Sequence, residues 1–368
     1  MNSLRKNNQY FVTSEFLAYP KLIEPMVVQL LKKYRFGLCL CIREEQLNDE
    51  LAQLCKIYAS AGIPLIFWPL LPLKEGLYLN KYSVTEYHNY LDLLFAWLEK
   101  KKLHVFGLLV DVEPDYHKPK PGSSPIIDNI WHSLKELDEE AFKAAISGFQ
   151  GIIGKIRRHN CLAIGAALPF VCDDRSGSAP VWQDYWGGPV AEVEWDILVF
   201  MLFGSWFVEM GMDWPTAHCL VYDYTKEIKK FWQNKAVVSL GVTTPGTGAE
   251  TAIYKSPAQL GEAVSAVRAA GINNIAIYDL KGILDSAEPE LWFQTVVKAL
   301  PRLPSGRCDS WKLFLYRIVV ATLGKTLELF RSLKEVGEKL ASFLVRRRSS
   351  YSRPQTLFNS RLKSPPGK

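Results

Sequence analysis

The sequence predicts an α/β fold, a (β/α)8 or TIM barrel spanning residues 9–303, and three observations carry that prediction. Short apolar runs alternate eight times with amphipathic helical patterns, the order expected of a parallel sheet with crossover helices. Several runs place small residues on one alternating face and large ones on the other, as a narrow barrel interior inside a helical coat requires. No Gly-rich phosphate loop follows an early strand, which weighs against a doubly wound open sheet.

The first strand is expected at Tyr10–Phe16, before a helix that gathers Ile23, Val27, Leu30, Leu31 and Tyr34 on one face. The second is Gly37–Ile42; its helix aligns Leu47, Leu51, Leu54, Cys55 and Tyr58 and stops near Gly62, as helices often do at glycine. After the third strand, Pro64–Leu70, Ser83 and Glu86 read as a capping box ahead of Tyr87, Tyr90, Leu91, Leu94 and Leu98. The fourth is Val105–Glu113, backed by a helix from about Glu139 with Phe142, Ile146, Phe149, Ile153 and Ile156 inward.

The fifth strand, Leu162–Phe170, leads into residues 171–194, where Gly, Pro, Asp and aromatics show no helical period; a long loop is expected. Asp196–Phe203 is the sixth strand. His218–Tyr224 could pass for another, but Leu220, Val221, Tyr224, Ile228, Phe231 and Trp232 recur at helical intervals behind Asp213 and Pro215, so the spacing predicts a helix. Ala236–Val242 is the seventh strand, and Ser256 with Pro257 opens a helix that closes at Gly271. Asn274–Leu280 and a helix around Leu291–Leu300 complete the eight units. On this reading Cys39, Cys41, Gly165, Ala167, Ser239 and Gly241 point inward, while Leu38, Leu40, Ile164, Leu168, Val238 and Leu240 face the helices.

A chain of 368 residues, 48% hydrophobic and 22% charged, has the composition of a soluble globular protein. No apolar run reaches the roughly 18 residues that span a bilayer. The basic N-terminal residues precede no apolar stretch, so no secretory signal is expected. Seven cysteines without a C-x-x-C pair predict packed thiols, a reducing compartment and a cytoplasmic location. Residues 301–368 hold 15 Lys/Arg against 4 Asp/Glu, so a chain of net charge +6 has a mildly acidic body and a basic tail.

Chemistry is expected where the fourth strand ends. In Gly107–Glu113, residues 108, 110 and 112 are apolar, so a period of two directs Leu109, Asp111 and Glu113 inward. Barrel enzymes keep their chemistry at this C-terminal end. Two neighbouring carboxylates resist simultaneous ionisation, and a carboxyl that keeps its proton can serve a leaving group. Glu113, nearer the mouth, is the expected general acid, with Asp111 in support. Arg43, which could pair with them, and Trp68 and Glu15 are further mouth candidates. Glu15, Asp173, Asp174 and Asp184 are alternatives for a second carboxylate, and Trp182, Tyr185 and Trp186 add aromatic side chains in the loop after the fifth strand.

These residues resemble those of the chitinase-type glycoside hydrolases (family 18), barrels whose fourth strand ends in D-x-x-D-x-D-x-E with the last Glu as general acid. Asp111 and Glu113 match the final D-x-E, Gly107 fits the glycine usual in that strand, and Met201-Leu-Phe203-Gly204 falls where the family has M-x-Y-D. Tyr278 stands where the family places a Trp beneath the sugar. Phe106 and Leu109 replace the first two Asp residues, Phe203 lacks the Tyr hydroxyl, Gly204 replaces Asp, and strand three lacks S-x-G-G. The resemblance implies a carbohydrate-active enzyme that needs no cofactor, but not the family's substrate-assisted mechanism on chitin.

Three alternatives accompany it: a non-catalytic carbohydrate-binding barrel, a membrane-associated scaffold, and a sugar isomerase-like enzyme holding a divalent metal on Asp111, Glu113, Asp115 and His117. Pro114 should break the strand and divide that last set, so no metal site is expected. Beyond Pro304, Leu315, Val319, Leu323, Leu327, Phe330, Leu340 and Phe343 repeat at helical steps. This predicts a helical extension over 304–346 packed on the barrel, then a basic disordered tail over 347–368. Arg346, Arg347 and Arg348 suggest an anionic membrane surface as a partner. Nucleic acid is not expected, because no aromatic stacking face interleaves the basic cluster.

Overall fold

The computed structural model describes residues 9–114, 137–175, 179–245, 252–305, 308–309 and 311–351. Eight parallel strands close into one barrel, each bonded to its neighbours in sequence and β8 (Ile275–Tyr278) returning to β1 (Tyr10–Ser14). Between them come β2 (Phe36–Ile42), β3 (Leu65–Pro69), β4 (Gly107–Asp111), β5 (Leu162–Ala167), β6 (Ile197–Met201) and β7 (Ala236–Gly241). The strands are shorter than expected at their C-terminal ends: β1 stops before Glu15, β4 before Glu113 and β6 before Phe203. Those three side chains therefore stand at the mouth.

Leu38, Leu40, Leu108, Val110, Val112, Val238 and Leu240 join the large core between strands and helices. Cys39, Cys41, Ile66, Trp68 and Val237 fill the barrel. The expected parity is reversed in β5, where Ile164 and Ala166 lie inside and Ala167 faces the helices. Gly165 explains the reversal. A Cβ at that position would come within 2.7 Å of the Trp195 indole, so the outward face of β5 is small because a tryptophan lies on it. Leu168, expected to face the helices, instead joins Met201 and Phe203.

The crossover helices follow the predicted periodicity. Asp138 caps the helix Glu139–Arg158 by accepting from Ala141 N at 3.0 Å, and Asp213 caps Trp214–Trp232 by accepting from Thr216 N at 2.8 Å. His218–Tyr224 is helical. Ser83 corrects the expected capping box. It precedes the helix Val84–Lys101 without capping it, because its hydroxyl donates to Tyr78 O and accepts from Asn80 N, both at 2.9 Å. Residues 171–194 are likewise more ordered than a loop, holding two short helices, Val171–Arg175 and Val181–Tyr185. Asp174 joins them by accepting from Trp182 N and Gln183 N at 2.8 Å. A non-local bond of this kind leaves no periodicity to read.

A helix of 41 residues, Trp311–Tyr351, follows the barrel. It packs through Val320 and Leu327 against Val181, Trp182 and Leu137. Leu315, Val319 and Phe330, which sequence placed on the packed face, are exposed. No helix among the described residues is long and apolar enough to cross a membrane.

Cys219, on the helix Trp214–Trp232, and Cys308, shortly before the terminal helix, form a disulfide across 89 residues. The expectation of seven unpaired thiols is thereby corrected, and the reducing environment argued from it loses that support. Cys39, Cys41, Cys55, Cys161 and Cys172 are free and buried. Denaturing alkylation followed by mass spectrometry should therefore add five labels without reductant and seven with it; a full set of labels without reductant would refute the bridge.

Candidate functional site

The C-terminal mouth is built from alternate positions on converging strands. Asp111 and Glu113 reach it from β4, Thr13 and Glu15 from β1, Trp68 from β3, Met201 and Phe203 from β6, and Tyr278 from β8. Together with Leu109, Tyr78 and Trp206 they line one cavity. Its floor is apolar, made of Phe11, Ile66, Ile164 and Ile197. Its acids stand above that floor, toward the C-terminal ends of the strands.

Tyr278 organises the rim. Its hydroxyl donates to Glu15 Oε2, fixing that carboxylate's orientation. Its ring stacks on Phe203 at 5.5 Å and meets Trp68 edge-on at 6.5 Å, and Phe203 meets Trp206 at 4.7 Å. Carboxylates and an arc of aromatic faces therefore share one opening, an arrangement suited to a ligand with apolar faces and hydroxyl edges.

Asp111 is buried, and its charge is felt nearby. Burial first, and then the Asp111 charge, push the Tyr87 phenol up. Burial, Cys41 and Asp111 hold the Cys39 thiol up as well. Cys39 lines the cavity as a protonated thiol, which argues against thiolate chemistry there.

Six of the expected site residues meet at the cavity: Glu113, Asp111, Glu15, Trp68, Phe203 and Tyr278. Arg43 does not line it; it is half-buried at the start of the 3-10 turn Glu44–Gln46. Trp186 backs the rim, stacked on Phe170 at 5.4 Å and packed against the Leu168, Met201 and Phe203 cluster. Among the four alternatives for a second carboxylate, only Glu15 lines the cavity. Asp184 forms a buried ion pair with Lys81. Asp173 accepts from the Tyr224 hydroxyl at 3.0 Å and lies 3.6 Å from Arg317. Asp174 holds the two short helices together. Among the described residues no group of His, Cys, Asp and Glu could hold a metal, while Asp115 and His117 lie outside them.

Sequence reasoning missed Asp279, which follows Tyr278 and is fully buried. It caps the helix Leu280–Leu284, accepting from Lys281 N at 3.1 Å. Burial pushes its carboxyl up to about 7; backbone N–H groups of Gly282, Glu15 and Lys281 oppose the rise and the Glu15 charge adds to it. The bond from the Glu15 backbone ties the end of β8 to the end of β1. A strand followed by Asp-Leu-Lys-Gly was a legible cap signal, but nothing local announced the burial.

No family model and no curated protein matches the chain. Solved structures do match. The glycoside hydrolase domain of PgaB (BpsB) from Bordetella bronchiseptica is similar with a TM-score of 0.52 and 10% identity, over 79% of this chain and 99% of that one. An endo-β-mannanase/endo-β-glucanase of Prevotella bryantii gives 0.48 and 11%, over 80% and 48%. A Group II chitinase catalytic domain of Ostrinia furnacalis gives 0.47 and 10%, over 81% and 98%. At such identities the likeness to the first is one of fold, that of the (β/α)8 barrel.

The structural acids beside the mouth can be tested separately. Lys81→Met leaves Asp184 buried without its counter-charge and should lower stability by about 3–5 kcal/mol in urea unfolding. Lys81→Met with Asp184→Leu should recover part of that; a loss below about 1 kcal/mol in the single variant would mean that the pair does not hold the segment. Asp279, raised from about 4 unfolded to about 7 folded, gives stability that is full below about pH 4 and lost as pH rises to about 7. Relative to Asp279→Asn, which keeps the cap, the native chain should therefore lose on the order of 2 kcal/mol between about pH 5 and about pH 8. A difference that is flat in pH, or of opposite sign, would contradict the assignment.

Proposed function

We propose that the chain is a carbohydrate-active enzyme of glycoside hydrolase type, with Glu113 as general acid and Asp111 as its supporting carboxylate. The observation that carries this reading is the shared lining of one mouth by Glu15, Asp111, Glu113 and the aromatic arc through Trp68, Tyr278 and Phe203. Sugar rings offer apolar C–H faces to aromatic planes and hydroxyls to carboxylates, so one ligand class uses both sets.

In this reading Glu113 protonates the departing glycosidic oxygen as the C–O bond breaks, and positive charge grows on the sugar ring. Asp111, just beneath on the same strand face, stabilises that charge and orients Glu113. Glu15 is the opposing carboxylate. Held by Tyr278, it either attacks the anomeric carbon or draws a proton from water, and its separation from Glu113 decides which: about 5 Å for retention, about 6.5–9.5 Å for inversion. Phe203 and Gly204, in place of the Tyr and Asp of the resembled family, argue against assistance from a substrate acetamido group.

A second reading is supported by the apolar Phe106, Leu109 and Phe203 at positions where that family is polar: a barrel that binds carbohydrate without cleaving it. Assay on a panel of aryl glycosides and oligosaccharides separates the two. Glu113→Gln should reduce turnover at least about 1000-fold with unchanged thermal unfolding. An active Glu113→Gln refutes the acid, whereas glycan binding without products and insensitive to that substitution favours the second reading.

A further inference from the structure

A helix that packs on a domain by one side ordinarily gives its other side to water and polar residues. The helix Trp311–Tyr351 departs from that rule. Leu313, Val320 and Leu327 are buried, and on the same side Arg331 Nε donates to Glu139 at 3.0 Å. About half a turn away, Trp311, Phe314, Ile318, Leu329, Leu333 and Val336 are all exposed, Trp311 by 69% and Phe314 by 68%. Helical spacing puts them on one side of the helix in two blocks, 311–318 and 329–336, with Thr322 and Lys325 between. An apolar face of that length on a soluble surface marks a place where something docks.

Charge identifies what docks. The face belongs to a segment, 301–368, with 15 Lys/Arg against 4 Asp/Glu, and Arg346, Arg347 and Arg348 fall on the last turns of the helix. Lys325 is exposed between the two apolar blocks. A second copy of so basic a segment would be repelled. An anionic lipid surface meets both demands, since its acyl boundary takes the Trp and Phe side chains and its headgroups take the Lys and Arg.

We propose that the exposed face of the helix Trp311–Tyr351 docks on an anionic bilayer, lying in the interfacial plane. It does not cross the membrane, since none of the described helices is long and apolar enough to do so. The inference is independent of the chemistry assigned to the barrel mouth.

Sedimentation of the purified full-length chain with vesicles tests it. Binding is expected to phosphatidylcholine vesicles containing about 30% phosphatidylserine at about 0.1 M salt, and to fall at least about tenfold on pure phosphatidylcholine or at about 0.5 M salt. Phe314→Glu with Leu333→Glu alters only exposed side chains, so thermal unfolding should be unchanged while vesicle binding falls at least about tenfold. No binding to the phosphatidylserine vesicles, or undiminished binding by the double variant, overturns the proposal. A lipid-free dimer in light scattering that the same substitutions disperse also overturns it, and assigns the face to a second copy.

Discussion

Barrel closure is the constraint on which the other features depend. When eight parallel strands bond in a ring, no edge remains, and every second side chain must enter a narrow interior that tolerates only small or apolar groups. The strands here obey with Cys39, Ile66, Ala166, Val199 and Val237. Acids follow the same alternation at the C-terminal end of the strands. Asp111 and Glu113 therefore sit at the end of β4, and Glu15 just past the end of β1. Closure brings residues distant in sequence round a common centre at the mouth.

That logic also explains what could be read from the chain. Period-two alternation in β2, β4 and β7 and helical spacing around Leu220–Ile228 are local, and the structure repeats them. Of the eight residues proposed for the site, six line one cavity, because alternation also places strand-end side chains at the mouth. Failures arose where a partner outside the element's own period decided. Trp195 sets the small outward face of β5, Tyr78 takes the Ser83 hydroxyl, and Asp174 converts an aperiodic stretch into two short helices. Cysteine spacing could not announce a pairing across 89 residues. Nor could helical spacing say which face of the terminal helix packs, because both faces carry apolar residues.

Several carboxylates near the mouth are structural. Asp184 neutralises a buried lysine, Asp174 joins two helices, and Asp279 caps a helix while bonding the Glu15 backbone. The rim acids are instead grouped with aromatic faces. Tyr278 binds the two sets into one unit, holding Glu15 through its hydroxyl and contacting Phe203 and Trp68 through its ring.

The most direct test is a crystal structure of the Glu113→Gln variant soaked with an oligosaccharide to which it binds. A glycosidic oxygen within about 3.2 Å of the substituted side-chain amide, with the anomeric carbon facing Glu15, is the expected result. A sugar bound away from the mouth, or seated there with its scissile oxygen out of reach of that amide, would contradict the assignment.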